Sequence, residues 1–397
     1  MLLACCGPQG VAHISAFAQW PQPGINEGHT GYNPLETILG AGNVGKLAQE
    51  WSFSTGGRIA SPIVVKDGVA YVNSADGYLY AVNVRTGTQM WKFQTFTGNG
   101  VQYSAIVSGA HVFVGCLAGG NSRQNGICAL RTSDGTRVWH YFLDCNCDPP
   151  AGIAGAPVVL GGTLLVPYYQ SNPSGKSVLQ VLNGDTGKPL WSYGYPGSNG
   201  GGPSPAAPAI GNGAVYVGEE GSHSVCSVNL TTHQEDWCLS TGDDYNSIAV
   251  WKNVVYVNTY DHGVFAFNAS TASQIWHYTP AGGNYSGTND PPAIANGKVY
   301  VAGVGFGGNL YAIDALSGTL RYSGSPANGS TQSSPSIANG IAYVACDSGA
   351  CAFDAATGTP LNAFGIAGGR QSPPVIVNGV VIATCGANAA CAYAIKP

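Results

Sequence analysis

Chemistry in this chain would have to come from a small set of carboxylates, imidazoles, guanidiniums, phenols and thiols. Carboxylates gather in Gly-, Ser- and Asn-rich stretches: Asp144, Asp148, Asp243, Asp244 and Asp290, and separately Asp76, Glu219, Glu220, Asp261 and Asp347. Several oxygen ligands around one point can hold Ca²⁺, with Glu219, Glu220, Asp243 and Asp261 as candidate ligands. The blander alternative is a solvated acidic rim. Asp243, Asp244, Asp261 and His262 are the candidate acid/base groups, since such side chains can take a proton from a substrate hydroxyl within hydrogen-bond reach. The adjacency of Asp261 and His262 argues little, because neighbours in a tight turn point apart. Arg58 and Arg370 form a candidate clamp for a carboxylate, the bidentate geometry that guanidinium favours; otherwise they are separate surface charges. Tyr103, Tyr195, Tyr245 and Tyr285 sit among Asn, Gln or Gly. They suit glycan or peptide contacts as aromatic platforms, or simply pack locally.

The elements that would position these residues follow from composition and repetition. Of 397 residues, 58 are glycine and only 9% are charged, with 15 basic against 20 acidic side chains and a formal charge of −5. No basic excess exists to neutralise a phosphate backbone, which argues against nucleic acid as a partner. No run of about twenty apolar residues occurs, so no helical transmembrane span is expected. Segments such as SPIVVKDGVAYV, APAIGNGAVYV and SPSIANGIAYV recur, each followed by a turn, a second apolar stretch, a Thr-Gly or similar turn and an aromatic residue. Trp51, Trp91, Trp139, Trp191, Trp237, Trp276, Tyr322 and Asn362 hold the closing position, 39 to 52 residues apart. That is the period of a four-stranded propeller blade. Short β-branched and aromatic runs separated by Gly-containing turns predict antiparallel strands A to D.

The expected fold is therefore all-β: an eight-bladed β-propeller of four-stranded antiparallel blades, with seven blades as the competing count. Residues 47–397 form the propeller and residues 1–46 a leader and strap, and 47–54 supply the strand that the last blade lacks. Closing the ring this way removes two exposed sheet edges. The D–A and B–C connections share one face of such a propeller, and this face gathers the carboxylates, arginines and tyrosines above.

The units resemble pyrroloquinoline-quinone (PQQ) repeats, of the rough pattern A-x-D-x-x-T-G-x-x-x-W, in AVNVRTGTQMW (81–91), VLNGDTGKPLW (181–191), AIDALSGTLRY (312–322) and AFDAATGTPLN (352–362). The family includes quinone-dependent alcohol dehydrogenases and a non-enzymatic outer-membrane assembly lipoprotein, so architecture alone does not choose an activity. The resemblance implies PQQ and calcium as the cofactors of an enzymatic member, with Arg58 and Arg370 holding the quinone. It also implies that Trp20 to Leu39 is the leader preceding the first blade, lying over the propeller with Trp20 and Tyr32 buried. Active dehydrogenases of the family carry adjacent cysteines over the quinone. Here Cys5-Cys6 is the only such pair, and it falls outside the propeller.

The cysteines occupy repeat-equivalent positions. Cys116, Cys346 and Cys385 follow strand B, and Cys128, Cys351 and Cys391 occupy strand C. Each pair spans one B–C hairpin, where disulfide geometry is feasible. Cys226 on strand C is expected to bond Cys238 on strand D. Such usage argues for an extracytoplasmic location, secreted, periplasmic or cell-surface. Cys145 and Cys147 have no assigned role, and Leu2-Leu3-Ala4-Cys5 resembles the tail of a lipoprotein signal, with Cys5 or Cys6 as the lipid anchor. The functional expectation is a binding or assembly module that takes a glycan, peptide or protein on its loop face. The alternative is a PQQ- and calcium-dependent dehydrogenase of alcohols or sugars.

Overall fold

The computed structural model describes residues 19–59, 61–96, 104–117, 125–143, 155–170, 176–195, 207–219, 223–242, 246–259, 262–280, 291–302, 308–327, 329–331, 333–365 and 372–396. Eight antiparallel sheets follow one another along the chain. Blade 1 consists of strands A (Val64–Lys66), B (Val69–Ser74), C (Tyr78–Asn83) and D (Gln89–Gln94). Blades 2 to 7 repeat this order. Blade 8 takes strands A to C from Val375–Val377, Val380–Thr384 and Ala389–Ile395, and its outer strand from Leu47–Ser54. Leu47 pairs with Ile395 and Ser54 with Ala389. The eight-blade count and the N-terminal closing strand are both as expected.

The repeat motif explains itself in the turns. Asn83 Oδ1 accepts hydrogen bonds from the N–H groups of Arg85 and Thr86, and Asp314 and Asp354 do the same in their blades. Such side-chain caps hold the C–D turn. The following Gly87 has φ +70°, and a Cβ there would lie 2.6 Å from the Trp51 ring. Five closing aromatics thus lie over the glycine turn of the next blade: Trp51 over Gly87, Trp91 over Gly135, Trp139 over Gly187, Trp276 over Gly318 and Tyr322 over Gly358. Their polar ends bond across the same seam: Trp91 Nε1 donates to Thr132 O at 2.9 Å and Tyr322 Oη to Ala355 O at 2.9 Å. In blade 4 His233 replaces the glycine at φ +58° and stacks on Trp191 with ring centroids 4.5 Å apart.

One apolar layer fills each gap between neighbouring blades, built on buried strand-B aromatics such as Tyr71, Phe113, Tyr216, Tyr256, Tyr300 and Tyr343. Burial pushes the Tyr256 and Tyr300 phenols up to about 12. The four expected disulfides are present. Cys116–Cys128, Cys346–Cys351 and Cys385–Cys391 cross B–C hairpins with Cα separations of 5.8, 5.9 and 5.8 Å, and Cys226–Cys238 crosses a C–D pair at 4.1 Å.

The leader departs from the expected course. Trp20 is buried and Tyr32 half-buried, but the segment runs inside the central channel rather than over the propeller. Gln19 Nε2 donates to Asp67 Oδ1 on the A–B turn of blade 1 at 2.9 Å. Tyr32–Asn33 then pairs in parallel with strand A of blade 7. The chain leaves where the buried Glu36 carboxylate accepts the N–H groups of Ile38, Leu39 and Gly379. Entry and exit therefore lie on the A–B face. The cause is that the inner strands present an unpaired edge, whose peptide groups require partners once buried.

Candidate functional site

With the leader inside it, the channel becomes a funnel on the D–A face. Its cavity of about 170 Å³ is lined mainly by the residues that lead into the A strands and floored by Trp20, Pro23, Gly24, His29 and Gly31. The walls come from the Ser/Ala-Pro dipeptides that open the repeats, among them Ser61-Pro62, Ser334-Pro335 and Pro373. Small side chains here leave space where larger ones would close it. Prolines fix the backbone and bring no N–H of their own.

Several polar atoms of this lining are short of partners, although the Ser334 hydroxyl donates to Pro291 O. The hydroxyls of Ser61, Ser104 and Ser336 are buried and have no hydrogen-bond partner, and neither has Nε2 of His29. His29 Nδ1 lies 3.2 Å from Ile248 O. A carbonyl can only accept, so Nδ1 carries the proton and Nε2 a free lone pair. Burial lowers the His29 pKa to about 4, the Ile248 contact opposing this, so the ring is neutral at ordinary pH. Among the described residues no charged side chain lines the funnel.

Of the expected site residues, Arg58, His262 and Tyr195 have described side chains, and none of the three is in the funnel lining. Arg58 is exposed on the D–A connection, where its carbonyl accepts the Ala75 N–H at 2.8 Å. His262 is exposed too, its carbonyl accepting from His277 Nε2 and Thr279 Oγ1. Tyr195 is buried in the layer between blades 3 and 4, so its ring is not presented to solvent. Asp76 accepts from Gly56 N–H at 2.7 Å and Tyr80 Oη at 2.6 Å, latching the D–A connection to the B–C turn. Asp347 holds Ser330 N–H in the same way. Arg370, Asp243, Asp244, Asp261, Glu220, Tyr103, Tyr245 and Tyr285 lie outside the described residues, as do Cys5, Cys6, Cys145 and Cys147. Glu219 ends strand B of blade 4, and its side chain is likewise outside them.

Two groups of described residues have the proximity of metal ligands, Cys116–Cys128–His140 and Cys226–Glu235–Cys238. Both contain a disulfide, so neither offers a thiolate. Among the described residues no helix is long and apolar enough to cross a membrane.

A family model described as outer membrane protein assembly factor BamB matches residues 45–146, 97–251 and 246–396. The chain belongs to this PQQ-repeat family. Among curated relatives, the tetrathionate hydrolase of Acidithiobacillus ferrooxidans is 25% identical over 306 residues, 72% of this chain and 53% of that protein. The quinohemoprotein alcohol dehydrogenase of Comamonas testosteroni is 27% identical over 194 residues, 46% of this chain and 26% of that protein. The match thus spans about half of the first relative and about a quarter of the second. Among solved structures, a europium-containing methanol dehydrogenase superposes with TM-score 0.75 at 16% identity, covering 95% of this chain and 98% of that one. BamB from Moraxella catarrhalis gives 0.66 at 14% identity, covering 88% and 98%. At such identities these likenesses carry the PQQ-repeat fold and no further.

Sequence reasoning missed the funnel because it sought charge. The signal was the small residue before or at the proline opening most repeats, which reads as turn punctuation but becomes the channel wall.

Proposed function

We propose that the chain is the propeller of an extracytoplasmic quinoprotein of the dehydrogenase type, acting on an alcohol or sugar at the D–A face. The observation that carries this reading is that Ser61, Ser104, Ser336 and His29 all line the funnel and that their buried hydroxyls and Nε2 have no hydrogen-bond partner within the chain. Sequence likeness to quinohemoprotein and quinoprotein alcohol dehydrogenases supports it, and the four disulfides suit an oxidising compartment.

The donor set fits the oxygens of a quinone. PQQ carries carboxylate and carbonyl acceptors, and the hydroxyls of Ser61, Ser104 and Ser336 each have a proton to give and no acceptor within the chain. When bound, PQQ would supply a two-electron acceptor for oxidation of a hydroxyl group. The chain's own part is to orient and to exclude water. Trp20 and the wall prolines make a rigid apolar surround, in which hydrogen bonds to a ligand are strengthened. His29, neutral and protonated on Nδ1, offers Nε2 as an acceptor for a hydroxyl proton. The described lining has no carboxylate, so the candidate calcium ligands remain Asp243, Asp261, Glu219 and Glu220, and no step is derived through a cation.

That uncharged lining favours a second reading, a binding or assembly module for a neutral glycan, a peptide or a protein. Titration of the purified chain with PQQ, in the presence of Ca²⁺ or a trivalent lanthanide, separates the two. Quinone absorbance and dye-linked oxidation of alcohols and sugars are followed together, with tetrathionate hydrolysis as a parallel assay. The expected result is stoichiometric binding with turnover. No binding at micromolar quinone would overturn the dehydrogenase reading and leave the binding module.

A further inference from the structure

We propose that the central channel is a binding site for a glycine-containing peptide folded into turns, which this chain fills with its own residues 19–33. Strand A of every blade pairs with strand B on one side and turns its other edge to the channel. At the centre of each A strand one peptide group therefore needs a partner from within the ring.

The leader meets these groups in blade order. Trp20 O accepts from Val65 N–H at 2.8 Å, Pro21 O from Val107 at 2.8 Å and Gln22 Oε1 from Val159 at 3.1 Å, serving blades 1 to 3. Glu27 O, Gly28 O, Thr30 O and Gly31 O accept from Ile210, Val250, Ile294 and Ile337, each at 2.7 Å, serving blades 4 to 7. In blade 8 the polarity reverses, and Asn33 Nδ2 donates to Ile376 O at 2.7 Å. The partners are repeat-equivalent: each is the residue after the one opposite the central strand-B aromatic or aliphatic, as Val65 follows Val64 opposite Tyr71.

Backbone recognition of this kind resembles strand addition to a sheet edge, except that the edge is a ring. It requires close approach. A Cβ on Gly28 would lie 2.6 Å from Val250 O, and one on Gly31, at φ +60°, 2.9 Å from the Ala293 Cβ. Side-chain selectivity comes from Trp20, buried in the layer between blades 8 and 1, and from the buried Asn33. The ligand class is thus a peptide with an apolar aromatic at its start, small residues where blades 5 to 7 come close, and an amide at its end.

Amide hydrogen exchange on the full chain tests this. In the unaltered protein the Val65, Val107, Val159, Ile210, Val250, Ile294 and Ile337 amides should exchange slowly. In the double variant Gly28→Val/Gly31→Val they should accelerate about a hundred-fold, while strand-B amides such as Tyr71 and Tyr300 stay slow. Adding a synthetic peptide of residues 19–33 should restore protection, and a scrambled peptide should not. Fast exchange in the unaltered protein, or no rescue with the blades intact, would overturn the proposal. If the variant does not fold, a protease site inserted at the exposed Ala41–Gly42 replaces it. After cleavage the leader should stay bound and exchange with labelled peptide 19–33. Its departure with the seven amides still protected would equally overturn the proposal.

Discussion

Replacing His29 by Gln should remove a pH dependence from the stability of the whole propeller. The imidazole is 1% exposed, and burial lowers its pKa from 6.5 to about 4. In the unfolded chain the same ring takes a proton near pH 6.5, so the unfolded state binds more protons between these values. Stability from this group is then complete above about pH 6.5 and is lost as pH falls toward 4. Linkage over those two values gives a loss of about 2 kcal/mol between pH 7 and pH 4.5. His140, also lowered to about 4 by burial and by Arg137, adds a similar trend in both proteins and cancels in the difference. Urea unfolding under non-reducing conditions at the two pH values gives the required four free energies. The His29→Gln variant should lose about 2 kcal/mol less than the unaltered chain on acidification. Parallel losses would refute the reasoning, because they would mean that the ring takes up its proton in the folded channel.

Three further outcomes follow from the same structure. Gly87→Ala should cost about 2 kcal/mol more than Gly68→Ala in thermal or urea unfolding, since both positions have φ above +60° but only the first puts a Cβ against the Trp51 ring. Asp76→Ala should destabilise by about 1–3 kcal/mol, because it strands the Gly56 N–H and the buried Tyr80 hydroxyl; Asp76→Asn, which keeps an acceptor, should cost less. Under mild reduction Cys226–Cys238 should open first, since Cys238 is exposed on an outer strand while the other three disulfides are buried. Differential alkylation with mass spectrometry would show the order, and simultaneous reduction of all four would contradict it.

How much was legible depended on whether side chains or backbone carried the information. The blade number could be read because the Trp51-to-Asn362 series is large, rare and periodic, and the disulfides because Cys116, Cys346 and Cys385 share one repeat position. The path of the leader could not, since most of its channel bonds come from main-chain carbonyls such as Glu27 O and Thr30 O, which any residue possesses. His233 shows the converse limit: a residue unlike the repeat glycine adopts the same left-handed backbone and repays it by stacking on Trp191. The funnel escaped notice for a third reason. Ser61, Ser104 and Ser336 matter there through what their hydroxyls lack, and a missing partner leaves no mark on a sequence.

The closing strand also sets an order in time. Leu47–Ser54 finds its partner only in Ala389–Ile395, more than three hundred residues later. During synthesis this segment waits, an unpaired strand, until the more than three hundred residues between it and its partner have followed. Contacts so distant in sequence are slow to form and leave an edge open to wrong partners meanwhile. Each hairpin disulfide, by contrast, joins cysteines only 5 to 12 residues apart. Individual blades can therefore be locked long before the circle is shut, and the ring is assembled from parts already secured.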